Sequence, residues 1–169
     1  SQVEIQSGIQ FYDGITTAEI QEILIRSASD LISLDNPNYQ YVAARLLLYS
    51  LRKSLYGRLW ELPHLYDHIT DCIEKDVYDA DILVKYTREE IETLNDVIDH
   101  GRDFIFTYAG LRQVADKYLV QDRSSGKVYE TPQFMYLLIA MTIFADYPQE
   151  TRLDYVTRYY TAISKHRIN

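Results

Sequence analysis

The run from Pro37 to Lys53, PNYQYVAARLLLYSLRK, constrains the fold more than any other part of the chain. It reads as a helix that is apolar almost all round, so other helices must cover it on several sides. At about 100° per residue, Val42, Leu46, Tyr49 and Lys53 fall within roughly 60° of one another. The pattern therefore predicts a buried helix that carries a lysine inside its apolar stripe.

The rest of the chain supports a helical reading. Ser1 to Phe11 is amphipathic (Val3, Ile5, Ile9, Phe11) and is followed by the turn Tyr12-Asp13-Gly14. Thr16 and Glu19 have capping-box spacing, and the helix they open shows Ile20, Leu24, Ala28 and Leu31 as its core stripe. Asn36-Pro37 breaks the chain, and Gly57 ends the apolar helix. Pro63 is placed as the first residue of a helix reaching about Glu74. Shorter helices follow over 79–85 and 87–99, the second opened by a capping box of Thr87 and Glu90. Tyr118-Leu119-Val120 and Lys127-Val128-Tyr129 flank a polar turn and predict one small β-hairpin. Thr131-Pro132 opens a helix to about Ala145, and a last helix runs from Gln149 to about Lys165. The expected fold is mainly α, a helical bundle with that one hairpin, and the expected boundary lies between Gly57 and Leu62.

Composition sets limits on function. The 169 residues carry a formal net charge of -8, which argues against sequence-independent nucleic-acid binding. The single cysteine, Cys72, allows no internal disulfide and fits a reduced, cytoplasmic compartment. The most apolar run, Phe134 to Ala145, is too short to span a bilayer, so neither nucleic acid nor membrane is expected as a partner. The chain begins inside an amphipathic pattern and stops at Asn169 without a turn; both ends look cut from something longer.

Few residues carry a signal for chemistry. Lys53 either snorkels past its helix end or points into a small anion pocket. Thr17 either helps start its helix or offers a hydroxyl beside free backbone N–H groups, where an anion can sit. Arg45 and Arg52 share the face next to Lys53 and have many carboxylates to pair with. His64, His68 and Cys72 stand at i, i+4 and i+8 on one helix, with Asp67 and Asp71 nearby. The outer pair are about 12 Å apart by helix rise, too far to share one ion, so no metal site is expected. Glu89, Glu90, Glu92, Asp79 and Asp81 read as solvated helix starts. Of the neighbours Tyr159 and Tyr160, one should pack inward and the other lie at the edge. The chain has no phosphate-binding glycine loop, nucleophile elbow or zinc-helix motif, and no catalytic residue is expected. On these grounds alone the chain is a helical interaction or small-ligand regulatory module.

Several strings narrow this reading. Tyr39-Gln40-Tyr41-Val42-Ala43-Ala44-Arg45-Leu46, Leu51-Arg52-Lys53, Tyr56-Gly57, Leu65-Tyr66-Asp67-His68, Lys117-Tyr118-Leu119-Val120, Glu130-Thr131-Pro132-Gln133-Phe134 and Glu150-Thr151-Arg152-Leu153 stand in one order along the chain. Together they resemble the N-terminal part of the large (α) subunit of class I ribonucleotide reductase, bacterial or phage type. The resemblance implies that residues 1–57 are the later part of an ATP-cone regulatory domain. Residues 58–169 would be the helical region that precedes the catalytic α/β barrel. It implies that Thr17 and Lys53 contact the allosteric effector, ATP as activator or dATP as inhibitor, with no other cofactor in the segment. The implied partners are the rest of the large subunit, a small radical-bearing β subunit and further copies of the large subunit.

Two departures bear on the effector response: Gln21 and Ser50 stand where the family places histidines. The cone's opening strands would precede Ser1, which implies weak or absent nucleotide binding by this segment. The family's catalytic cysteines, its glutamate and asparagine, and its radical-relay tyrosines would lie beyond Asn169, so Cys72 and Tyr159-Tyr160 inherit none of those roles. The competing reading is a stand-alone helical interaction module.

Overall fold

The computed structural model describes residues 14–166. The expected helix over Ser1 to Phe11, and the start of the turn after it, lie outside the described residues. In chain order the helices are α1 (Thr17–Asp30), α2 (Tyr39–Tyr56), α3 (Leu65–Glu74), α4 (Asp81–Lys85), α5 (Arg88–Val97), α6 (Tyr108–Gln113), α7 (Pro132–Ile143) and α8 (Gln149–Ser164). A 3-10 segment, His100–Ile105, precedes α6, and a π-helical turn, Val114–Tyr118, follows it. The chain divides into two compact units: one up to Leu59 together with Asp103–Tyr118, the other Trp60–Arg102 together with Leu119 onward.

In the first unit, residues 31–38 return the chain so that α1 and α2 pack as an αα-hairpin, and α6 packs on α2. Local chemistry sets the helix ends. The Thr16 hydroxyl accepts from the Glu19 N–H while the Glu19 carboxylate takes the Thr16 N–H, a complete capping box. Gly57 closes α2 at φ 70°, where a side chain would be strained, and donates its N–H to the Lys53 carbonyl. The face of α2 that is buried differs from the predicted stripe. Ala43, Ala44, Leu47, Leu48 and Arg52 are buried, while Val42 and Lys53 are exposed and Leu46 and Tyr49 half-buried. A helix apolar all round gives its period no preferred side. The small residues Ala43 and Ala44 decide it instead, because they let a neighbouring backbone come close. On α1 the fully buried residues are Ile25, Ser27 and Ala28; Ile20, Leu24 and Leu31 lie at the margin.

In the second unit, α3 packs on α5, α5 on α8 and α7 on α8. Leu65, Ile69, Ile91, Leu94, Phe134, Leu137, Met141 and Val156 form its core, each 0% exposed. Burying one such side chain is worth about 1.5–3 kcal/mol. Tyr160 is also fully buried, while Tyr159 is half-buried, as neighbouring positions on a helix require. The Tyr160 hydroxyl donates to Gln133 Oε1 at 2.7 Å and accepts the Asp99 N–H at 2.9 Å, so its polar end is satisfied inside the core. Helix α3 begins two residues after Pro63, because the His64 ring takes the cap position and accepts the Tyr66 N–H at 3.0 Å.

The expected β-hairpin is not formed. Among the described residues its arms meet in one isolated antiparallel bridge, Gln121 to Val128. The first arm is cut short because the π-helical turn holds the chain as far as Tyr118. The Val120 N–H then goes to the Glu130 side chain at 2.9 Å instead of a facing strand. Helix α7 is 12 residues long, and none of the described helices is long and apolar enough to cross a membrane.

Candidate functional site

The αα-hairpin brings the start of α1 and the last turn of α2 to the same end of the first unit. Thr17 is the first residue of α1 and is exposed; Lys53 lies in the last turn of α2 and is exposed. Gln21 and Ser50, on the same two helices, are half-buried. The hairpin thus places hydroxyl, lysine and helix start at one end, with solvent access to each.

The capping box limits what that helix start can do alone. Glu19 Oε2 holds the Thr16 N–H at 2.7 Å, and Thr16 Oγ1 holds the Glu19 N–H at 3.2 Å. Of the first-turn donors, the Thr17 and Ala18 N–H groups then have no acceptor within the helix. A phosphate approaching them meets the Glu19 carboxylate, which opposes the favourable end of the helix dipole. Lys53 is an exposed cation in the last turn of α2.

The cation buried in α2 is Arg52, not Lys53. Arg52 is 2% exposed. Its Nη2 lies 3.4 Å from Asp103 Oδ2, its Nη1 donates to the Leu59 carbonyl at 3.1 Å, and its guanidinium sits 5.1 Å from the Phe104 ring centre. It is a structural ion pair within the first unit. Arg45 is exposed, 5.8 Å from the same ring.

In the second unit, His64 turns to a partner of its own, while Cys72 Sγ lies 3.8 Å from His68 Nε2. His64 Nε2 lies 2.8 Å from Glu92 Oε2 at the surface. The buried His68 ring stacks on Phe134, with 3.9 Å between ring centres and 6° between planes, and its Nε2 lies 2.9 Å from the Tyr78 hydroxyl. Cys72 is 1% exposed, and burial pushes its thiol up to about 12, so it is no nucleophile. Among the described residues no group of His, Cys, Asp and Glu is arranged to hold a metal ion. Glu90, expected as a solvated helix start, is 7% exposed and pairs with Arg152. The carboxylate was drawn inward by a partner far along the chain, which a local pattern does not reveal. The tie between His68, Tyr78 and Glu130 was missed for the same reason: its members stand on separate segments.

Comparison with known proteins gives this geometry a family. Residues 104–169 match the ribonucleotide reductase all-alpha domain. The whole chain is 51% identical to the ribonucleoside-diphosphate reductase subunit alpha of Haemophilus influenzae and to the ribonucleoside-diphosphate reductase 1 subunit alpha of Escherichia coli. Over 98% of its length it is 45% identical to the corresponding alpha subunit of Enterobacteria phage T4. The chain spans 22% of the length of each of these relatives. Such identity, sustained from end to end, shows that this chain belongs to the ribonucleotide reductase large-subunit family as its N-terminal part.

Proposed function

We propose that this chain is the N-terminal regulatory and supporting segment of a cytoplasmic ribonucleoside-diphosphate reductase large subunit. The observation that carries the reading is the 51% identity over the full chain to proteins of that name. In this reading the whole subunit reduces ribonucleotides to deoxyribonucleotides with a radical supplied by a small β subunit. The segment itself is non-catalytic. Residues 1–57 are the later part of an ATP-cone, and residues 58–169 support the catalytic barrel.

The effector site in this reading includes Thr17 and Lys53. Its support is the shared end of the α1–α2 hairpin, where an exposed lysine, a hydroxyl and two N–H groups can meet a nucleotide phosphate. ATP and dATP differ by one hydroxyl. An effector shifts a two-state equilibrium only by its difference in affinity for the two states. The activating and inhibiting forms must therefore differ in contacts around the ribose or base, while Lys53 serves both through the phosphates. The shifted equilibrium is between assemblies of the large subunit, one of which withholds the radical partner.

The test uses the intact large subunit with its β subunit. Lys53→Ala should blunt inhibition by dATP and leave basal turnover in place. Undiminished inhibition in that variant would remove Lys53 from the effector site.

A further inference from the structure

The first turn of α3 is fastened by two side chains, and one of them can change its charge. The Asn95 side-chain oxygen, from α5, accepts the Leu65 N–H at 2.9 Å. The His64 ring caps the next donor: its Nδ1 accepts the Tyr66 N–H at 3.0 Å. The other ring nitrogen, Nε2, lies 2.8 Å from Glu92 Oε2 on α5, and Glu92 Oε1 accepts from Arg88 Nε at 3.1 Å. The His64 side chain keeps 29% of its surface exposed, so solvent protons reach it.

These bonds fix the tautomer. A backbone N–H can only donate, so Nδ1 must be bare. The ring's single proton then sits on Nε2 and is donated to Glu92. The usual caps, Ser, Thr, Asp and Asn, accept through an oxygen that takes up no proton near neutral pH. A histidine cap differs, because the atom that a second proton must occupy is the atom that makes the cap. With both nitrogens protonated the ring has no acceptor left, and Nδ1–H would face the Tyr66 N–H, donor against donor. The positive ring would also sit at the positive end of the α3 dipole. Its bond to Glu92, by contrast, becomes charged on both sides and strengthens. Protonation exchanges the cap for a stronger tie to α5.

The charged groups around His64 are Glu92 and Arg88 on α5 and Asp67 in the first turn of its own helix. Arg88, and after it His64, hold the Glu92 carboxyl below its ordinary range, so Glu92 stays ionised while a histidine titrates. The Arg88 guanidinium also lies over the Tyr66 ring, 3.6 Å from its centre. An acceptor for Nε2 is therefore present in both charge states of the ring.

We propose that His64 is a proton-operated helix cap. Neutral, it closes the first turn of α3; charged, it releases the Tyr66 N–H and holds Glu92 alone. The device is local. Asn95 keeps the Leu65 N–H in both states, so acid loosens the first turn of α3 and the connection entering it, not the helix.

Nitrogen-15 NMR of the full chain reads ring and cap in one titration, from roughly pH 8 to pH 5, where histidine changes charge. At the basic end the His64 ring, identified by its loss in His64→Asn, should be neutral with its proton on Nε2. Toward the acid end both nitrogens should become protonated. Hydrogen-exchange protection of the Tyr66 amide should fall about 2- to 30-fold with the same midpoint, the range a lost cap gives. Asparagine caps without titrating, so His64→Asn should keep the Tyr66 amide protected throughout. Glu92→Gln should move the ring and amide curves together to lower pH. A neutral ring protonated on Nδ1, a ring still uncharged at the acid end, or Tyr66 protection that ignores the ring's charge would each overturn the switch. So would curves that part in Glu92→Gln, or a loss of protection that survives in His64→Asn. The wild-type titration decides even if a variant fails to fold.

Discussion

Each unit buries an arginine against a carboxylate, and the two are bonded differently. In the second unit Arg152 Nε and Nη2 reach both oxygens of Glu90, at 2.7 and 2.5 Å. The same guanidinium donates to the Ala145 carbonyl at 3.1 Å and the Lys85 carbonyl at 2.6 Å, and lies 4.5 Å from the Tyr86 ring centre. Glu90 also closes the capping box of α5, so one ion pair ties together α8, the start of α5, the end of α4 and the turn after α7. In the first unit the Arg52–Asp103 pair is more deeply buried, and its Nη2–Oδ2 distance is 3.4 Å. The fork geometry that makes arginine–carboxylate pairs strong is realised in the second unit and not by that contact. The second unit therefore holds its charge pair through shorter, forked contacts.

The sharpest way to break this contrast is to remove each arginine. Arg152→Ala leaves the Glu90 charge buried and deprives two carbonyls of a donor, and should destabilise the second unit by about 3–5 kcal/mol. Arg52→Ala removes the cation from the buried Asp103 as well, and with the longer contact should cost the first unit toward the bottom of the same range, about 3 kcal/mol. Hydrogen exchange resolved to α2 and α5 reads the units separately, which one global unfolding curve does not. Equal losses would show that the Arg52 pair is as strong as the other.

A smaller effect is expected from acid, through the second unit's buried His68 and Glu130. His68 is neutral in the native state down to about 3, against an ordinary 6.5. Its contribution to stability is present above 6.5 and is lost as pH falls, by at most about 1.4 kcal/mol per pH unit. Glu130 acts in the other direction. Its folded-state affinity for a proton is raised above the ordinary 4.5, so it adds stability as pH falls through its own midpoint toward 4.5. Below both 6.5 and the Glu130 midpoint, down to 4.5, the two offset each other. Glu130→Gln removes the offset, so its stability should fall more steeply than wild type across that window, as read by urea midpoints. Parallel pH profiles would show that Glu130 takes up no proton there.

These features mark where the sequence is readable. The capping boxes at Thr16 and Thr87 are legible because both members lie within four residues and act on their own backbone. The inward face of α2 was not, since Arg52 and Lys53 are neighbours and an apolar cylinder lets either turn inward. The Glu90–Arg152 pair spans 62 positions and leaves no local trace. Yet the strings that carry the family resemblance contain His68, Glu130, Gln133 and Arg152, each a buried polar residue with bonds inside the second unit. Much of the resemblance thus reflects interior hydrogen bonding, which needs particular side chains at particular places. Thr17 and Lys53 came from the resemblance; periodicity alone gave each of them an ordinary role.

The finest test of the contrast uses the one motif both units share. At Thr16 the capping box stands at the surface, where its Glu19 carboxylate accepts the Thr16 N–H. At Thr87 the same box is part-buried, and its Glu90 is held from the other side by Arg152. Replacing a capping threonine by alanine costs about 0.5–2 kcal/mol. Thr87→Ala should fall near the top of that range, because Glu90 cannot move to compensate without breaking its bonds to Arg152. Thr16→Ala should fall near the bottom, because water can take the freed N–H and Glu19 can follow. Matched urea midpoints and exchange rates for α1 and α5 would measure the gap. If the two caps cost the same, the bonds from Arg152 do not stiffen Glu90.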